Sequence, residues 1–238
     1  IGDVIPIEPA AMAGRSIIQW DKDDLDSMKI PKFDLLGLGI LTAIAHGLRL
    51  IRERYELPVY LYQLPQAPEV YDMIGKADTV GLFQIESRAQ MNSLPRTQPR
   101  TLYQLAIQVA LIRPGPLQGD MVHPYIRRRR GEEPVDLIHP LIAPILERTL
   151  GVPLFQEQGM RLAVEVGGFT PTEAERLRRA ISSARSRDQF PGLLKKLKAG
   201  MRSKGVSADA AERLIKHIAA FSTYGFPESH STSFALLV

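Results

Sequence analysis

At Leu57-Pro58 the chain changes character, and that change limits the folds open to it. Before it, alternation and turn residues (Pro6, Pro9, Gly14) lead into Ser16-Ile17-Ile18-Gln19-Trp20, a predicted strand. Asp21-Lys22-Asp23-Asp24 reads as a polar turn, with Asp24 as the cap of a short helix through Met28. Ile30–Leu35 is a second predicted strand. From Gly39 the period becomes helical, with Ile40, Ile44, Leu48 and Ile51 on one face through Tyr55. After a linker rich in proline and tyrosine, residues 58–68, nearly every segment has helical period. The predicted fold class is α+β and mostly α: a small α/β edge over 1–57, then an all-helical domain over 69–238.

Punctuation sets the helices of the second part. Val70–Lys76 is a short one, and Gly81–Ile85 reads as an extended piece running into a helix over Glu86–Asn92. Thr101 caps a helix over Leu102–Ile112 that Arg113-Pro114-Gly115-Pro116 ends. Pro140–Leu150 is helical with Pro144 as a possible break, and Phe155–Val166 stops at Gly167-Gly168. Thr170-Pro171-Thr172-Glu173 is the best start signal: a threonine cap, proline at the first helical position and glutamate at the third. That helix runs to Ser183, and two more span Gly192–Lys204 and Ser207–Ser222.

Charge is unevenly spread. Residues 1–60 carry seven basic and nine acidic side chains, whereas 171–206 carry ten basic and three acidic ones. A basic helical region favours polyanions, nucleic acid or nucleotide phosphates. The chain has no cysteine, which excludes disulfides and thiolate metal sites and fits a cytoplasmic, reducing location. No apolar run reaches the length of a membrane span, and no signal-peptide pattern opens the chain. Ile1 and the apolar run Phe234-Ala235-Leu236-Leu237-Val238 read as cut ends of a longer protein.

Several constellations could carry chemistry. Lys32 and Asp34 share one face of an extended segment, as an ion pair at a strand edge or as a phosphate-binding lysine beside a metal-ligating carboxylate. Arg176 and Arg179 share a helix face near Arg178, with Arg185 and Arg187 beyond, as a solvated flank or a phosphate contact. Tyr224-Gly225-Phe226-Pro227-Glu228-Ser229-His230-Ser231 is either a helix connector or a loop that stacks on a base and donates to phosphate. Arg113 is a helix cap or an aimed phosphate contact. The run Arg127, Arg128, Arg129, Arg130 is a solvated face or a nucleic-acid contact. His46, His123, His139 and His217 lack metal-ligand spacing, and there is no glycine-rich phosphate loop or nucleophile elbow.

Six ordered motifs resemble one family. Lys32-Phe33-Asp34-Leu35-Leu36-Gly37-Leu38, Gly81-Leu82-Phe83-Gln84-Ile85-Glu86-Ser87-Arg88, Arg113-Pro114-Gly115-Pro116-Leu117, Phe155-Gln156-Glu157-Gln158, Leu177-Arg178-Arg179-Ala180 and Tyr224–His230 resemble the C-family bacterial DNA polymerases, the family of the DNA polymerase III alpha subunit. Glu86–Met91, Gly119–Tyr125 and Phe226–His230 are similar to its error-prone, damage-inducible branch, associated with DNA repair and translesion synthesis.

The resemblance implies the end of a polymerase-beta-like palm followed by helical fingers. It makes Asp34 the third catalytic, metal-binding aspartate and Lys32 its phosphate-binding neighbour, working with two Mg2+ ions in phosphoryl transfer. It assigns Arg113, Arg178, Arg179, Tyr224, Ser229 and His230 to the incoming nucleotide, and Arg127–Arg130, Arg185 and Arg187 to DNA. The implied partners are a DNA primer-template and deoxynucleoside triphosphates. A sliding clamp and mutagenesis accessory proteins would bind through regions outside this chain, and no membrane partner is implied.

Two departures from the family pattern matter. The twin-aspartate motif of the palm is absent, so the isolated chain is expected to be inactive and to hold no Mg2+ tightly. After Leu177–Ala180 the family's replicative members continue Met-Gly-Lys-Lys, whereas this chain has Ile181-Ser182-Ser183-Ala184-Arg185; Arg185 or Arg187 could replace the missing lysines. The rival readings are a non-catalytic helical module for nucleic-acid binding or protein docking, and a helix-turn-helix binder using Thr170–Ser183.

Overall fold

The structure is a computed structural model that describes residues 2–31, 37–112, 122–182, 189–224 and 226–238. The chain divides into two units, Ile1–Pro58 and Val59–Val238.

The first unit holds a two-stranded antiparallel sheet, β1 (Ile7–Pro9) with β2 (Ser16–Ile18), in which Ile7 pairs with Ile18 and Pro9 with Ser16. The turn between them needs the left-handed backbone of Gly14, φ +74°. The sequence marks the second of these strands and misses the first. Helix α1 (Lys22–Ser27) starts from Asp21, not Asp24: Asp21 Oδ1 accepts the N–H groups of Asp23 and Asp24 at 2.8 and 2.9 Å. Asp24 returns the bond to the N–H of Asp21 at 3.2 Å, completing a capping box. Those backbone donors hold the Asp21 carboxyl below its usual range. Helix α2 (Gly39–Tyr55) follows the predicted period and ends on Glu56 in the left-handed region. Among the described residues of this unit Ile5 is the buried apolar side chain. Most of the second predicted strand, with Lys32 and Asp34, lies outside the described residues.

The second unit has two apolar cores. The first surrounds α5 (Leu102–Leu111), whose residues 105–111 are all buried, as expected of a helix enclosed on every side. Around it stand α3 (Pro68–Gly75), α4 (Arg88–Thr97) and α6 (Val122–Arg129), with the last helix of the chain, Glu228–Leu237. Thr101 caps α5 as its sequence predicts, Oγ1 accepting from Gln104 N–H at 3.3 Å. Between α4 and α5 a buried polar cluster replaces apolar contact. Gln108 Nε2 donates to Gln90 Oε1 and to Ser93 Oγ, both at 2.6 Å, and Thr97 Oγ1 donates to Gln108 Oε1 at 2.7 Å.

The second core joins α7 (Ala143–Leu146), α8 (Gln156–Arg161), α9 (Pro171–Ser182), α10 (Phe190–Ser203) and α11 (Ala208–Tyr224). Pro140–Leu150, predicted as helical with a possible break at Pro144, is α7 between two 3-10 turns, Pro140–Ile142 and Glu147–Thr149. The predicted helix over 155–166 is α8 followed by a π-helical stretch, Leu162–Val166. The start box of α9 forms: Thr170 N–H donates to Glu173 Oε2 at 3.0 Å and Glu173 N–H to Thr170 Oγ1 at 3.3 Å. Where α10 crosses the π-helical stretch, a Cβ on Gly200 would sit 1.8 Å from the Gly167 carbonyl oxygen.

Two further expectations change, and one helix appears that the sequence did not mark. Gly81–Ile85 is a turn rather than extended, closed by Thr79 Oγ1 donating to the Ile85 carbonyl at 2.8 Å, with Gln84 at φ 67°. Arg127, Arg128 and Arg129 form the last turn of α6, a helix that the sequence did not mark. Tyr224–Ser231 is not one loop: Tyr224 ends α11, and Glu228–Leu237, here α12, already contains Ser229, His230 and Ser231.

Candidate functional site

Helix α9 brings its basic side chains to a single carboxylate. Glu175 accepts from Arg178 Nε and Nη2 and from Arg179 Nε, all at 2.8 Å, bridging i, i+3 and i+4. Arg178 is the more enclosed, at 29% side-chain exposure against 67% for Arg179. The two guanidiniums pull the Glu175 carboxyl down to about 2, and Glu175 in turn raises Arg178 above its ordinary value. With Leu177, Gln156 and Gly159, Arg178 lines a cavity of about 20 Å3, room for roughly one water molecule. Arg178 therefore stands beside the start of α8.

The same start of α8 meets the turn into α12. Phe155 and Phe226 form a parallel bridge, and Gln156 N–H donates to the Phe226 carbonyl at 3.1 Å. Glu157 Oε2 accepts from the N–H of Glu228 at 3.0 Å. Gln158 ties the segment down from the other side. Its Oε1 accepts the N–H groups of Leu154 and Phe155, and its Nε2 donates to the Ile145 carbonyl and Thr149 Oγ1. The motif Phe155-Gln156-Glu157-Gln158 is thus a joint: Phe155 belongs to the first core and Leu162, about two turns later, to the second.

On α12, Ser229 and His230 are exposed. The His230 ring lies edge-on to Phe226 with centroids 4.9 Å apart, and 4.2 Å from the Phe234 centroid. Two aromatic neighbours restrict its rotamer at an exposed position. Tyr103 hydroxyl donates to Glu228 Oε1 at 2.8 Å, and the Arg148 guanidinium stacks 3.7 Å over the Tyr103 ring. Burial and the Glu228 carboxylate push the Tyr103 hydroxyl well above its ordinary pKa, so it stays a donor at any physiological pH.

The arginine run of α6 is largely engaged within the protein. Arg127 and Arg128 both donate to Glu133, and Arg128, at 12% exposure, also donates to the Leu150 carbonyl at 2.9 Å. Arg129 binds the carbonyls of Thr97 and Gln98 at the end of α4, both at 3.1 Å, and Arg130 pairs with Glu132 at 3.0 Å. Arg129 and Arg130 nevertheless line an open cleft with Arg96 and Arg100, and Arg100 pairs with Asp72. This cleft is basic and could take a phosphate chain, although sequence reading did not connect Arg96 or Arg100 with the run.

Of the other residues singled out by sequence, Lys32, Asp34, Arg113, Arg185, Arg187 and the Tyr224 side chain lie outside the described residues. The described residues contain no group of three or more histidines and carboxylates that could hold a metal. Among them no helix is long and apolar enough to cross a membrane. Sequence reading missed Glu157, Tyr103, Arg148 and Glu175. For Glu157 the signal was its place in the Phe155–Gln158 motif, and for Glu175 it was the pair of arginines three and four residues on; Tyr103 and Arg148 have partners that only folding brings together.

Relatives match this sequence along essentially its whole length. The chain is 51% identical over 246 residues to an error-prone DNA polymerase of Anaeromyxobacter dehalogenans strain 2CP-1, covering 99% of this chain and 22% of the relative. To those of Nocardia farcinica and Alkalilimnicola ehrlichii it is 53% identical over 240 and 239 residues, covering all of this chain and 21% and 23% of theirs. It therefore spans about a fifth of the length of the curated relatives it matches. A family model described as the bacterial DNA polymerase III alpha subunit finger domain matches residues 40–205, and the chain belongs to that family.

Proposed function

We propose that this chain is the end of the palm and most of the fingers of an error-prone, template-directed DNA polymerase acting in the cytoplasm in DNA repair. In this reading Arg178, Arg179, Ser229 and His230 bind the incoming deoxynucleoside triphosphate, with Arg113 and Tyr224 beside them. The observation that carries it is the joint at α8, whose first residues contact both the Arg178 cavity and the turn before His230. Two guanidiniums and an imidazole on two helices that both meet the start of α8 suit a polyanion with a flat base. An incoming triphosphate would compete with Glu175 for both arginines, so the site is charged but neutralised until ligand arrives.

Asp34 is the residue of this chain that would hold Mg2+, with Lys32 next to it. When bound, the ions neutralise charge on the phosphates and lower the barrier to nucleophilic attack. The basic cleft of Arg96, Arg100, Arg129 and Arg130 contacts the backbone of primer-template DNA, together with Arg127, Arg128, Arg185 and Arg187 where they reach it. A sliding clamp and mutagenesis accessory proteins engage the complete polymerase elsewhere.

The test is single-nucleotide incorporation by the complete polymerase. Arg178→Ala and His230→Ala are each expected to raise KM for the nucleotide about ten-fold or more, as expected for losing one charge-assisted contact. Unchanged KM in both variants would overturn the assignment. The purified 238-residue chain with Mg2+ and a primer-template is expected to add no nucleotide, and incorporation by it would show that the palm is more complete than this reading holds.

A further inference from the structure

Helix α12 starts without a cap of its own. Pro227 occupies the cap position and has no side-chain acceptor, so the first N–H groups of the helix need a partner from elsewhere. Glu157 supplies it from 71 residues away, its carboxylate accepting the Glu228 N–H at 3.0 Å. A carboxylate is well suited to that place because a helix N-terminus carries partial positive charge.

The rest of α12 is held independently of this bond. Ser231 Oγ donates to the buried Ala106 carbonyl at 2.6 Å, and Ala235 packs into the first core. Small residues on both helices bring α12 close to α5, and this packing does not involve Glu157. Loss of the Glu157 carboxylate would therefore loosen the first turn of α12 and leave its body seated. That first turn carries Ser229 and His230. Glu157 itself stands one residue after Gln156, which lines the Arg178 cavity.

We propose that Glu157 is a positioning residue for nucleotide binding: by capping α12 it fixes where Ser229 and His230 stand relative to Arg178. The proposal rests on the nucleotide-binding reading given above. It assigns a purpose to the third residue of the Phe155–Gln158 motif, which touches no ligand in that reading. It also assigns the supporting contacts: Tyr103 and Arg148 hold the Glu228 side chain while Glu157 holds its backbone.

The experiment is steady-state incorporation by the complete polymerase carrying Glu157→Ala, Glu157→Gln or Glu157→Asp, with Arg178→Ala and His230→Ala alongside. Glu157→Ala is expected to raise nucleotide KM about five- to ten-fold, the range of a lost helix cap, with primer-template affinity unchanged. Glu157→Gln keeps an oxygen acceptor at the same reach and should return KM to within about two-fold of the parent. If the alanine variant does not fold, Glu157→Asp gives the same comparison, because its carboxylate falls one methylene short. A raised KM for it supports the proposal and a parental KM overturns it. A fall in kcat at unchanged KM would mark a merely structural role and also overturn it. If Arg178→Ala and His230→Ala leave KM unchanged, the nucleotide reading fails first; if they raise it and the Glu157 variants do not, the positioning role alone fails.

Discussion

Glu175 holds Arg178 and Arg179 on one carboxylate, so the two guanidiniums that sequence alone places on different helix faces are drawn together. That sharing has a measurable pH signature. The carboxyl lies near 2 when folded against an ordinary 4.5, so the unfolded chain binds more protons between those values. Its contribution to stability is complete above about pH 5 and is lost as pH falls through about 2. In acid titrations followed by circular dichroism, Glu175→Gln should flatten this part of the stability profile and leave the neutral region of its slope unchanged. Equal acid slopes in both proteins would contradict the pairing.

The buried cluster of Gln90, Ser93, Thr97 and Gln108 predicts a large effect from a substitution far from any ligand. Gln108→Leu keeps the volume and removes the partner that three side chains share: Gln90 Oε1 loses its donor, while the Ser93 and Thr97 hydroxyls keep only their bonds to backbone carbonyls of α4. The unpaired Gln90 oxygen and the lost network bonds should make this cost about 1–3 kcal/mol, read as a lower midpoint in urea unfolding. A change below about 0.5 kcal/mol, typical of surface sites, would mean that the network is not formed.

DNA binding should be sensitive to the cleft on α4 and α6 more than to the arginine run as a whole. Arg96→Ala and Arg100→Ala in the complete polymerase are each expected to weaken primer-template binding and to lower the slope of log K against log salt by about one. Arg128→Ala, whose side chain is enclosed on Glu133 and the Leu150 carbonyl, should instead lower stability with little change in that slope. The reverse pattern would return the DNA contact to the run itself.

Gly200→Ala tests the crossing of α10 over the π-helical stretch. The added methyl would meet backbone, which cannot swing aside, so about 1–3 kcal/mol of destabilisation is expected in thermal melts. Gly192→Ala on the same helix, where nothing lies within 4 Å, serves as the control and should be neutral or slightly stabilising.

Local signals carried much of the fold. Thr101 and Thr170 fixed the starts of α5 and α9 because their partners, Gln104 and Glu173, lie three residues away. What sequence missed depends on partners far along the chain. Helix α12 has Pro227 where a cap should be, and the acceptor that replaces it is Glu157, so no local pattern could announce the helix. Helix α6 has Pro124 in its first turn and its arginines find Glu133, Leu150 and the end of α4 only on folding. The turn at Gly81–Ile85 reads as extended from its apolar residues Leu82, Phe83 and Ile85, yet Gln84 adopts a left-handed backbone that no residue type there would signal. The candidate site follows the same rule. The arginines and the histidine were visible as residue types, and the spacing of Glu175 to Arg178 and Arg179 was a local signal left unread, while Glu157 gained meaning only from geometry.

The facing glycines at 167 and 200 make the placement of α10 self-locating. One helical turn to either side of Gly200 stand Lys196 and Lys204, so sliding the helix by a turn would push a lysine into a gap that accepts only hydrogen. Lys196 and Lys204 are meanwhile tied to Glu173 and to the Glu165 carbonyl, one on each flank of that gap. The basic face of α10 therefore has a single register against its neighbours, and its lysines and arginine are held in fixed order like teeth on a rack that cannot advance.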